Sequence, residues 1–331
     1  MNPGFLYQRF AFRDIEAERF KRVLDRADFE HTIVARQRGN AVVEQIHGPH
    51  FSIDTGCYAF PVVARGQFAP GCMCIGMAMG QALPTWINGF TTGRGNLQIY
   101  LEGADVLYRA GAGGVWTGLT VTRERLQAEA LHRLGRELRI SNKGGMEHLR
   151  VDAALFDRLR RLILSMPPKF GAISRQPEDM DAAIIGAYVE AYATADASLA
   201  DRVRRRAAYR LDVVLRADLA MRHLIGLPYS SAKLCQHLGV SERNLELHFR
   251  EAFGVTPKTW FRHLALHRAR TLLLRGTSEM SAVTRVALDC GFEHLGRFSE
   301  YYRNLFGELP SETFRGLHGN RQDTGAVVLP A

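Results

Sequence analysis

The chain is poor in cysteine and has no long apolar run. Its five cysteines, at positions 57, 72, 74, 235 and 290, are odd in number and scattered over 331 residues. That pattern excludes a disulfide framework and points to free thiols in a reducing compartment. No apolar stretch approaches the roughly 20 residues that cross a bilayer, so no membrane partner is expected. The opening MNPGFLYQRFAFRD lacks the basic-then-apolar layout of a signal peptide, and a cytoplasmic location is expected. Also missing are the GxSxG, Walker A and GxGxxG fingerprints. Neither an enzyme, a catalytic residue nor a resident cofactor is therefore expected. His47, His50, Cys57, Cys72 and Cys74 are metal-ligand types, but the paired CxxC and HxxxH spacings are absent, and no metal site is expected.

What is present begins with charge. The composition, 46% hydrophobic and 23% charged, is that of a globular chain, long enough for two domains with separate cores. The net charge of +9 is unevenly placed. Residues 201–331 hold 20 Lys+Arg against 13 Asp+Glu, whereas residues 1–200 hold 23 against 21. A basic excess on one half is the electrostatic footprint of a polyanion binder. It is also compatible with an ordinary solvated surface.

Residues 29–120 read as β-rich. Stretches such as HTIVARQ, AVVEQIH, YAFPVVARG, NLQIYLEG and ADVLYRAG carry β-branched and aromatic residues between Gly, Asn and Pro turns, which suits a small barrel or sandwich. The segment IEAERFKRVLDRA before them reads as a helix. From Thr122 the period changes to that of helices: Leu126, Ala130 and Leu134 fall at i, i+4, i+8, and two further helical stretches come after. These helices either cover the β-rich part or pair two copies of the chain. The boundaries read as 1–121 for a β-barrel domain, 122–200 for a helical dimerisation region, 201–317 for an all-α basic domain and 318–331 for a tail. The fold class is α+β.

The basic half contains an internal repeat. FGVTPKTWFR at 253–262 and FGELPSETFR at 306–315 superpose with a shift of 53, which aligns Arg250 with Arg303, Gly254 with Gly307 and Pro257 with Pro310. A repeated unit usually means a repeated task. In the first copy SSAKLCQHLG reads as a short helix, GVS as a tight turn and SERNLELHFREAFG as a second helix with Ser241 as N-cap. Leu245, Phe249 and Phe253 form the buried stripe, while Arg243, Glu246, Leu247 and Arg250 face outward. The second copy runs SAVTRVALDCG, a turn one residue longer, then RFSEYYRNLFG, with Phe298, Tyr302 and Phe306 inward and Arg297, Glu300, Arg303 and Asn304 outward. TPKTWFRHLALHRARTLLLRG between them reads as one long helix. Helix, tight turn and helix with a polar outer face describe a helix-turn-helix. Two of them on one connector suit successive major-groove segments on one face of DNA.

On these motifs, residues from about 205 to 317 resemble the DNA-binding domain of the AraC/XylS family of bacterial transcription regulators. The resemblance implies promoter DNA and RNA polymerase as partners. It places base-reading positions at Arg243, Asn244, Glu246 and Leu247 of the first helix and at Leu295, Gly296, Ser299 and Glu300 of the second. Arg243 suits guanine O6/N7 and Glu246 suits cytosine N4. Arg250, Arg297 and Arg303 stand where phosphates would be held. Family members often carry a basic residue where Leu247 and Glu300 stand here, so the first helix is expected to carry more of the sequence reading.

The family's N-terminal halves are usually cupin-like barrels that bind a small-molecule effector, with helices after them that form a homodimer. The β-then-α order of residues 1–200 agrees with that. The effector itself is open. Arg36 and Arg38, read on one strand, would face the same side before a Gly-Asn turn, and Arg65 comes in a second basic turn. They partially resemble the arginine motif with which PilZ domains hold cyclic di-GMP. An anionic nucleotide is one expectation, arginines without a ligand a second, and a small metabolite inside the barrel a third.

Overall fold

The computed structural model describes residues 5–12, 27–36, 39–79, 85–142, 144–166, 177–195, 201–275 and 282–316. The segment read as a helix at 15–27 and the tail after 317 lie almost wholly outside them. Alternation of β-branched and polar residues is realised as twelve described strands in two sheets. The larger sheet has the order β1 (Leu6–Phe12), β3 (Ala41–His47), β4 (Phe51–Tyr58), β11 (Gly114–Val121), β6 (Met73–Ala78), β9 (Asn96–Tyr100), β12 (Met146–Arg150). The smaller has the order β2 (Ala27–Ile33), β5 (Val62–Phe68), β10 (Asp105–Ala110), β7 (Thr85–Ile87), β8 (Phe90–Thr92). The described strands thus fall into two sheets, and no single closed barrel is seen among them.

Pairing in the larger sheet is antiparallel throughout. Gln45 of β3 stands opposite Asp54 of β4, and its Nε2 donates to the Asp54 carboxylate at 2.6 Å. Gly118 of β11 stands opposite Gly76 of β6. Side chains alternate across the strand, so Met73, Ile75 and Met77 join a core on one side of β6. Cys74, Gly76 and Ala78 point to the other, toward the smaller sheet.

Three helices cover the outer face of the larger sheet. They are α1 (Arg123–Leu134), α2 (Ala153–Ser165) and α3 (Pro177–Ala193). Thr122 caps α1 through its side chain and Asp152 caps α2 by accepting from Ala154 N and Leu155 N. Their apolar residues Leu126, Ala130, Phe156, Leu159, Ile163, Ile185 and Tyr188 are buried against Ile53, Ile75, Ile99 and Leu119 of the sheet. Burial of this kind stabilises by roughly 1.5–3 kcal/mol per large side chain. The apolar faces read as covering or dimerising helices are therefore largely engaged within the chain. Leu131 and Leu164 stay exposed. Buried charge locks α1 to α3: Arg125 bridges Glu129 at 3.0 Å and Asp181 at 3.1 Å, and Arg133 holds Glu129 at 2.6 Å.

The remaining described helices are α4 (Asp201–His223), α5 (Ser231–Leu238), α6 (Glu242–Phe253), α7 (Pro257–Arg275), α8 (Ala282–Asp289), α9 (Leu295–Phe306) and α10 (Pro310–Gly316). The chain divides into two compact units: Met1–His31 with Arg38–Arg204 and Ala326–Ala331, and Thr32–Gln37 with Arg205–Gly325. Among the described residues no helix is long and apolar enough to cross a membrane.

Candidate nucleic-acid interface

The two halves of the repeat fold alike because the same local signals recur. Ser230 accepts from Lys233 N to open α5, and Gly239 ends it in the left-handed region. Two residues later the Ser241 hydroxyl accepts from Asn244 N at 3.3 Å and opens α6, with Glu242 in the first turn where the helix dipole favours a carboxylate. Leu245, Phe249 and Phe253 are 0–1% exposed, as their spacing predicted. α9 has the same twelve-residue length as α6 and starts 53 positions later. Both end on a glycine with positive φ, 76° at Gly254 and 84° at Gly307, a conformation that strains residues carrying a Cβ.

The second copy differs from its sequence reading in three details. α9 begins at Leu295, two residues earlier than read. Five residues link α8 to α9 where three link α5 to α6, so the connection is two residues longer. Leu305 completes the buried stripe with Phe298 and Tyr302, whereas Phe306 is half-buried. Phe306 is instead held from the side. The Arg270 guanidinium lies 4.7 Å from its ring centroid and the His267 ring meets it edge-on at 5.1 Å.

On the outward face of α6, Arg243, Asn244, Glu246, Leu247 and Arg250 are all exposed. On α9, Leu295, Gly296, Arg297, Glu300 and Arg303 are exposed and Ser299 is half-buried. Among the described residues no carboxylate pairs with Arg243, Arg297 or Arg303. Arg250 is engaged: its Nη2 and Nε reach Glu246 Oε1 at 2.8 and 3.1 Å. The spacing i, i+4 makes that pair natural on a helix. It orients the Glu246 carboxylate and holds Arg250 in a rotamer along the helix surface.

Residues that the sequence pattern did not single out fix these helices in place. Asp218 of α4, 1% exposed, accepts from Trp260 Nε1 at 2.7 Å and from Arg222 Nε at 2.8 Å. The Trp260 ring stacks on Phe253, the last residue of α6, with centroids 3.9 Å apart. Arg210 adds an ion pair to Glu251 at 3.4 Å. Around α9, the Arg262 guanidinium lies 4.2 Å from the Tyr301 ring centroid, Arg270 pairs with Glu308 at 2.7 Å, and Tyr302 donates to Thr313 at 2.9 Å. α7 thus holds both copies through side chains spaced along its own length. At 1.5 Å per residue its 19 residues measure roughly 28 Å. The available signal was Asp218, an acid flanked by the apolar residues Ala217 and Leu219 in a mostly apolar and basic helix.

The seven histidines of this half are not all surface groups. His248 and His263 are buried. Burial lowers both, His263 to about 4, so they pack as neutral rings and the positive field is that of the arginines.

The arginines read as an anion fork are placed differently. β2 stops at Ile33, because the Ile33 carbonyl accepts from His267 Nε2 at 3.2 Å instead of continuing a ladder. Arg36 consequently lies in the connection after the strand. It belongs to the C-terminal unit, where its guanidinium packs on the backbone of Gly307. Arg38 lies outside the described residues. Arg65 sits in β5 of the N-terminal unit. Among the described residues no group of three His, Cys, Asp or Glu side chains has the geometry to hold a metal ion.

Comparison with known proteins bears on the C-terminal part. A helix-turn-helix domain family matches residues 234–316. A XylDLEGF operon transcriptional activator 2 of Pseudomonas putida is 46% identical over 79 residues, covering 24% of this chain and 50% of that one. A XylDLEGF operon transcriptional activator of the same organism is 42% identical over 86 residues, 26% of this chain and 27% of its own. The matches thus span about a quarter to a half of those relatives. An AraC-type transcriptional regulator of Chromobacterium violaceum, known as a crystal structure, is 32% identical, with 34% of this chain and 97% of that chain covered and a TM-score of 0.31. With two helix-turn-helix units in register on one connector, residues 234–316 place this chain in the AraC/XylS family.

Proposed function

We propose that the chain is a transcription regulator that reads promoter DNA with α6 and α9 in two successive major-groove segments. The observation that carries this is the pair of equal, glycine-ended helices offset by 53 residues, whose outward faces carry Arg243 on α6 and Arg297 and Arg303 on α9 without carboxylate partners among the described residues. Arg243 reads a guanine and Glu246, held by Arg250, accepts from a cytosine amino group. Arg297 and Arg303 hold phosphates, which sets register without reading sequence. RNA polymerase is the downstream partner of such a regulator. Two chains reading two half-sites would meet through the helices α1 and α2, on which Leu131 and Leu164 stay exposed.

Arg243→Ala tests the base-reading assignment. It should cost about 1–3 kcal/mol on the preferred site and relax discrimination at one base pair. Binding measured on the preferred duplex and on its three single-position replacements checks this. A uniform loss on all four duplexes would move Arg243 to a phosphate.

A further inference from the structure

α6 keeps all but one of its apolar residues on one side. Leu245, Phe249, Ala252 and Phe253 are at most 1% exposed, while Arg243, Glu246, Leu247 and Arg250 stand on the opposite face, all exposed. Leu247 breaks the pattern. It is 46% exposed and is the one large apolar side chain that α6 leaves in water. At about 100° per residue it points roughly 200° away from Leu245, into the middle of the outward face rather than to its border.

On most surfaces a single leucine in water needs no explanation. Here its neighbours supply one. Arg243 lies one turn before it, at i and i+4 on the same stripe. Glu246, the preceding residue, already holds Arg250 at 2.8 Å. Leu247 stands among these charges with neither a donor nor an acceptor of its own. When this face enters a major groove, the base edge beneath Leu247 loses its water and receives no hydrogen bond in return. An amino group or a carbonyl oxygen in that place is left unsatisfied, which is costly. The thymine C5-methyl is the apolar group that a base pair presents in the major groove.

We propose that Leu247 reads a thymine through its methyl group, so that the block under α6 holds a thymine beside the guanine of Arg243. The i, i+4 offset is a rise of about 6 Å along the helix and successive bases rise roughly 3.4 Å, which places the two within about two base pairs of each other. The inference rests on the reading of α6 as a base-reading helix and adds a base that its charged residues do not name.

The test exchanges thymine for uracil, which pairs with adenine in the same way and lacks only the methyl. Duplexes are first selected from a random pool by the full-length chain. Each thymine of the block that responds to Arg243→Ala is then replaced by uracil, one at a time, and binding is measured for the wild type, Leu247→Ala and Arg243→Ala. In the wild type one exchange should weaken binding roughly fourfold, the worth of one buried methyl group, and the others should have no effect. Leu247→Ala should bind the thymine duplex several-fold more weakly and should treat thymine and uracil alike. Arg243→Ala should keep the uracil effect. Leu247 is exposed, so its truncation leaves the core intact, and circular dichroism checks the fold of both variants. A selected block without thymine, a block bound equally well with uracil at every thymine, or a uracil effect that survives in Leu247→Ala would overturn the inference and leave DNA reading in place. A chain that selects no duplex at all would overturn both.

Discussion

Asp218→Ala should destabilise the C-terminal unit by about 3 kcal/mol, a large part of the stability of a small domain. Asp218 sits at the meeting of α4 and α7 and serves two donors, Trp260 Nε1 and Arg222 Nε. Truncation leaves the indole N–H of a residue only 1% exposed without its acceptor. Arg222, more than a quarter exposed, recovers part of its loss from water. Trp260 in turn stacks on Phe253 at the end of α6, so the loss reaches the recognition helix. Asp218→Asn keeps an acceptor for Trp260 and should cost clearly less. Urea unfolding of both variants, monitored by tryptophan fluorescence and circular dichroism, checks the order. Equal and small effects, below about 1 kcal/mol, would show that α4 and α7 are held by packing alone.

Replacing Arg250, Arg297 and Arg303 together by alanine should weaken DNA binding by about two orders of magnitude near physiological salt. Each arginine that neutralises one phosphate contributes about 0.9 to the slope of log affinity against log salt, so the slope should shallow by about 1.8 from Arg297 and Arg303, with a smaller part from Arg250. All duplexes should lose alike, since phosphate contacts carry no sequence information. Arg250 has a further consequence. Its pair with Glu246 is formed in the free protein, so on DNA the guanidinium is shared between a carboxylate and a phosphate or leaves the carboxylate. The single variant Arg250→Ala should therefore shallow the slope least of the three. Titrations at several salt concentrations measure all of this directly. A slope unchanged in the triple variant would mean that these arginines do not touch the backbone.

The C-terminal half was legible because its signals are local. Ser241 three residues before Asn244 N, the 3.6-period stripe of Leu245, Phe249 and Phe253, and glycines at 254 and 307 each act within one or two turns of helix. The repeat then doubled the stripe and the terminal glycine, although His294 opens α9 without a side-chain cap. The errors lie where tertiary packing decides. Phe306 obeys the periodicity as well as Leu305 does, but Arg270 and His267, more than 30 residues away, hold it at the rim. Arg36 looks like a strand residue, but the strand stops at Ile33, whose carbonyl is claimed by His267, 234 positions on. The cavity between the two sheets of the N-terminal unit could not be read at all. Its wall draws on eight strands, and Gly76 and Gly118 become a floor only through a pairing that joins residues 42 apart. Asp218 was hidden for the same reason, since an acid in a basic helix does not name its partners.

Selection of bound duplexes from a random pool by the full-length chain shows whether two helices on one connector read two neighbouring stretches of DNA. Two short preferred blocks are expected, with centres roughly 10–10.5 base pairs apart. The block read by α6 should be the sharper and should lose one preferred base in Arg243→Ala. A single block, or a pool that binds without enrichment of any sequence, would contradict this reading.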